Sequence, residues 1–87
     1  MGRKQKVENI VLDLVYNGNY DAVQQINNGK EEPYEGCSRN LCMVIESGEA
    51  TVQKIDESDS RSRKGCNTYT IKYSTYLGDV LLIIWEV

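Results

Sequence analysis

The stretch that most limits the fold is Val80-Leu81-Leu82-Ile83-Ile84-Trp85-Glu86-Val87, which is apolar apart from Glu86. It is far shorter than the roughly 20 residues a membrane-spanning helix needs. Its branched and aromatic residues favour a strand. Thr68-Tyr69-Thr70-Ile71-Lys72-Tyr73 precedes it in strict alternation, the pattern of a half-buried strand. Gly78-Asp79 lies between, and a two-residue turn with Gly first suits a type II′ hairpin. That register pairs Leu77 with Val80, Tyr73 with Ile84 and Ile71 with Glu86. One face then holds Ile71, Tyr73, Leu77, Val80, Leu82 and Ile84. The other sets Thr70, Lys72, Ser74 and Tyr76 beside Leu81, Ile83, Trp85 and Val87. A strand apolar on both sides is usually covered on both sides, by the chain's own helices or by a partner.

Upstream, Val7, Ile10, Val11, Leu14 and Val15 recur at helical spacing. Asn17-Gly18 ends that helix, with Gly18 suited to a left-handed cap. Asn19 is placed to cap a second helix from Tyr20 to Asn28, whose apolar face is Ala22, Val23 and Ile26. The two form an αα-hairpin over residues 7–28, preceded by a flexible basic arm, residues 1–6, with Arg3, Lys4 and Lys6. Lys30 to Asn40 reads as loop, with Tyr34 latched onto the core. Leu41–Glu46 and Glu49–Ile55 read as a hairpin turning at Ser47-Gly48. Asp56 to Gly65 has no apolar residue and reads as a mobile loop. Replacing Asp59–Lys64 by a short Gly-Ser linker is expected to leave the fold intact, because loop length changes closure entropy only slowly. The fold class is α+β, an N-terminal αα-hairpin packed on a four-stranded antiparallel β-meander. The sheet occupies residues 40–87 of a single domain, 1–87.

The chemistry is bounded by what is missing. The chain has no histidine, which removes Ser-His-Asp and Cys-His arrangements and the usual neutral-pH base. Cys37, Cys42 and Cys66 lack a Cys-x-x-Cys pair or a fourth thiol, so no structural metal is expected. Cys42 reads as a small core residue. Each glycine is isolated, so no phosphate-cradling loop is present. Neither an enzyme nor a cofactor is expected. With no apolar leader segment and an odd cysteine count, the chain is placed in the cytoplasm, with free thiols and no membrane association.

A net charge of −3 argues against general nucleic-acid binding. The helical hairpin does have the outline of a DNA reader, and Gln24, Gln25, Asn27 and Asn28 could contact adenine edges. However, the cations that dominate DNA affinity are absent from that helix. What remains is surface. Two helices on one side cannot cover both sheet faces, so the face with more polar neighbours is expected to stay available. Tyr76, Leu81, Ile83 and Trp85 on that face, with Arg61, Arg63 and Lys64 in the loop, form the expected partner-binding set, since Trp, Tyr and Arg dominate binding energies. The reading is a small protein-binding module, a stoichiometric inhibitor or regulator of a larger enzyme or nucleic-acid machine, of the kind phages encode. The alternatives are a DNA-binding regulator and a structural subunit that homodimerises through the sheet.

Overall fold

Val7–Asn17 form helix α1 in the computed structural model, which describes residues 6–87. The expected stripe is the reason: Val11 and Val15 are fully buried, and Val7, Ile10 and Leu14 pack around them. Gly18 closes the helix at φ 70°, a left-handed conformation that Gly adopts without a Cβ clash. Met1–Gln5, most of the expected basic arm, lie outside the described residues.

The second expected helix is a strand. Tyr20–Ile26 is β1, and it pairs antiparallel along its whole length with β5, Gly78–Glu86. Tyr20, Ala22 and Ile26 alternate toward the core. In so short a run, their spacing fits a strand as well as Ala22, Val23 and Ile26 fit a helix. The hydrogen-bonding edge of β5 decides between them. Asn27 and Asn28 then take positive φ, 53° and 59°, and Gly29 N–H donates to the Ile26 carbonyl at 2.9 Å. These are the features of a type I′ turn, for which Asn is favoured. The chain returns as the two-residue strand β2, Glu32–Pro33.

The expected hairpin over 41–55 is also corrected. Ser38–Glu46 is helix α2, and only Thr51–Ile55 is a strand, β3. A strand would have put Leu41, Met43 and Ile45 on one face. The helix buries Leu41, Cys42 and Ile45 instead and leaves Met43 exposed. Ser47-Gly48 is a turn, but it ends a helix, with Gly48 at φ 80° donating to the Ile45 carbonyl.

β4, Thr68–Thr75, and β5 do form the C-terminal hairpin, but its turn is Tyr76-Leu77, since Thr75 is opposite Gly78. Tyr73 therefore faces Val80, and Ile71 faces Leu82. The slip from the expected register is even-numbered, so the face assignments survive it. The exceptions are Leu77, which leaves the core face for the tip, and Tyr76, which leaves the opposite face for it.

Among the described residues the sheet thus has five antiparallel strands in the order β2-β1-β5-β4-β3, not a four-stranded meander, and two helices complete an α+β fold. One face is the core. Tyr69, Ile71, Val80, Leu82 and Ile84 cluster there with Val11 and Val15 of α1 and Leu41, Cys42 and Ile45 of α2. Tyr34 packs against this cluster, and burial pushes its hydroxyl pKa up to about 12. The Tyr20 and Ser38 hydroxyls, 2.7 Å apart, join β1 to the start of α2.

Candidate functional site

The opposite face begins with Trp85. Its cross-strand neighbours are Asp21 on β1 and Thr68 on β4. Trp85 is only 7% exposed and Ile83 1%, although neither belongs to the helix-covered cluster. The polar segment 56–65 covers Trp85. The indole N–H donates to the Arg61 carbonyl at 2.8 Å. The Arg63 guanidinium lies 3.8 Å from the ring centroid, a cation–π contact, and pairs with Asp21 at 3.0 Å.

The segment is therefore a strap with its own internal order, which corrects the expectation of a free loop. Asp56 accepts from the backbone and hydroxyl of Ser58 at 2.9 and 3.0 Å. Ser62 Oγ donates to the Asp56 carbonyl at 2.6 Å. Asp59 takes the Arg61 side chain in a two-pronged pair, Nε at 3.0 Å and Nη2 at 2.9 Å, and also its backbone N–H. The Arg61 side-chain hydrogen bonds, then that N–H, bring the Asp59 carboxyl down to about 2. Asp56 is lowered by the Ser58 backbone and hydroxyl.

Beyond the strap, the same face opens into a concavity of about 710 Å³. Gln25 lies on the β1 side, Thr51 and Gln53 on the β3 side, Arg61 at the strap end, and Lys72 and Leu81 between them. Small-molecule pockets of this size are lined mainly by apolar and aromatic groups. Amides, hydroxyls and charges predominate here, which suits a hydrated, hydrogen-bonded contact.

Ser74 and Asp79 line the concavity next to the hairpin tip. The tip is held by a set of hydrogen bonds. Asn27 donates from Nδ2 to the Leu77 carbonyl at 3.1 Å and accepts from Asp79 N–H at 3.0 Å, while its own N–H donates to the Asp79 carbonyl at 2.8 Å. Thr75 Oγ1 accepts from Leu77 N–H, and Ser74 Oγ donates to Asp79. Gly78 sits at φ 124°, and a Cβ there would overlap the Asn27 side chain. At the apex of this frame, Tyr76 is 97% exposed and Leu77 56%.

The expected binding set is thus divided. Arg61, Arg63 and Trp85 come together, but in contacts with one another, and Ile83 is buried beside them. Leu81 is half-buried in the concavity, Tyr76 stands alone at the tip, and Lys64 is exposed on the strap. Sequence reasoning missed Asn27 and Leu77. The Asn-Asn-Gly run was the available signal for the first, because it marks a left-handed turn. Cys37 and Cys66 are free, as is the buried Cys42. Among the described residues there is no cluster suited to a metal ion and no helix long and apolar enough to cross a membrane. No protein-family model, curated protein or solved structure matches the chain.

Proposed function

We propose that the chain is a protein-binding module that engages its target through the β4–β5 tip and the adjoining polar face, acting as a stoichiometric inhibitor or regulator of a larger enzyme or nucleic-acid machine. The observation that carries this reading is the pinned tip. Two large apolar residues at the apex of a tight turn add nothing to the core, and burying them on a partner is favourable. The frame from Asn27, Ser74 and Thr75 fixes their position beforehand, so little conformational freedom is lost on association. Tyr is enriched among residues that dominate binding energy. The polar face beside the tip supplies hydrogen-bonding groups for a rim.

The test starts with capture on the immobilised chain and identification of the retained protein by mass spectrometry, followed by titration of that purified protein. Tyr76→Ala with Leu77→Ala is expected to weaken binding at least about 30-fold, the scale of a hot-spot loss. Its unfolding midpoint should match that of the parent. Equal affinity of the double variant, or no retained protein at all, would overturn the proposal.

A further inference from the structure

We infer that the body of the strap, residues 57–65, opens and closes over Trp85 as one preformed unit while the sheet and its helical core stay folded, with the Arg63–Asp21 pair as its latch. The order within the strap is local. Asp59 N–H donates to the Asp56 carbonyl and Ser62 N–H to the Asp59 carbonyl, both at 3.0 Å, and Cys66 N–H donates to the Arg63 carbonyl at 3.1 Å. With the Ser62 hydroxyl on the Asp56 carbonyl and the Asp59–Arg61 pair, these bonds join residues at most six apart. None of them needs the sheet. The two ends of the strap are fixed. Ile55 is paired with Thr68. Asn67 is bonded twice to Glu86, by its carbonyl to the Glu86 N–H and by its Nδ2 to the Glu86 carboxylate, at 3.0 Å each.

The fastening of this body to the sheet is of another kind. It carries no apolar side chain, so its docking buries none of its own. It is held at Trp85, by the indole N–H on the Arg61 carbonyl and by the Arg63 guanidinium over the ring, and at Asp21. The Arg63 and Asp21 side chains are 48% and 65% exposed, and an ion pair that open to water is weak and screened by salt. Segments held by few apolar contacts open at a fraction of the global free energy. β5, by contrast, is fixed between β1 and β4 and contributes Val80, Leu82 and Ile84 to the core. Trp85, Ile83 and Leu81 follow one another on the other face of β5, two residues apart. Arg61 borders the concavity that holds Leu81. Opening therefore withdraws Arg61 from that wall and uncovers the indole in line with Leu81. The position of the strap decides whether this face ends at a polar wall or continues to an aromatic ring, whatever the face binds.

Native-state hydrogen exchange of the full chain, followed by NMR in low urea, reads this opening. The Trp85 indole N–H is expected to be at least about tenfold less protected than the backbone amides at the centre of β5. Its exchange should be nearly independent of urea, since the opening exposes little surface. Two substitutions separate local from global opening. Ile71→Val, in the core on the opposite sheet face, should lower the protection of the β5 amides about two- to tenfold and leave the indole unchanged. Asp21→Asn removes the latch and should speed indole exchange about two- to fivefold. It should also cancel the acceleration that raising salt from about 10 mM to about 1 M produces in the parent. An indole as protected as the β5 amides with the same urea dependence, or one that responds to Ile71→Val as they do, would overturn opening as a unit. An Asp21→Asn variant with the parent's indole exchange and salt response would overturn the latch.

Discussion

Trp85 is held in two separable ways, by the area its ring buries and by the indole N–H bonded to the Arg61 carbonyl. Trp85→Ala removes both and is expected to cost about 3–5 kcal/mol. Trp85→Phe keeps most of the apolar area and loses the hydrogen bond, at about 1 kcal/mol. Urea unfolding of the two variants distinguishes the contributions, and equal losses would show that the hydrogen bond matters more than the area. Asp59 offers a second probe. Its carboxyl lies at about 2, below the roughly 3.9 of an unfolded aspartate. The Asp59–Arg61 contribution is therefore complete above the unfolded value and disappears as pH falls through the folded one. A carbon-13 titration should place the Asp59 midpoint near 2; a midpoint near 3.9 would mean the two-pronged pair does not persist in solution.

Among the elements, the strap behaves least as its composition suggests. Asp56–Gly65 lacks apolar side chains, yet it covers Trp85 through a backbone carbonyl and the Arg63 guanidinium. Replacing Asp59–Lys64 with a Gly-Ser linker should therefore expose the indole. Iodide quenching of Trp85 should rise, and each kcal/mol lost should lower the midpoint by about 4–8 °C. Unchanged quenching and midpoint would restore the free-loop reading. Local pattern could not reveal this cover, because Arg61 and Arg63 meet Trp85 only through the tertiary fold. Where the local signal was long or strict, the sequence was legible. The Val7–Val15 stripe, the Gly18 cap and the alternation of Thr68–Tyr73 correspond to α1, its end and β4. Tyr20–Ile26 and Leu41–Glu46 were not legible by period. Both are short runs that fit helix and strand templates alike, and pairing with β5 or packing on the core chose between them. Of the candidate site, Tyr76 was expected on the sheet's second face beside Trp85 and stands instead in the turn at the tip. Its frame was missed because Asn27 reaches it from the turn after β1, a strand brought beside β5 only by the tertiary fold.

At the scale of the whole molecule, β5 occupies the centre of the sheet, and its two faces meet different solutions. Val80, Leu82 and Ile84 lie under the helices, whereas Trp85 lies under the strap and Leu81 in the concavity. The strand order has a kinetic consequence. Among the described residues, β1 and β2 form one small ladder and β3 and β4 another, and β5 joins them. An isolated two-stranded ladder is marginal in water. β1 must therefore wait for a partner from the far end of the described chain, with Tyr20 opposite Glu86. The helices can form within about a microsecond, but closing so long a loop is slow, and chains dominated by such non-local pairings fold over milliseconds to seconds. β4 and β5 close locally through the Tyr76-Leu77 turn, so the docking of β1 on β5 is the late step that completes the sheet.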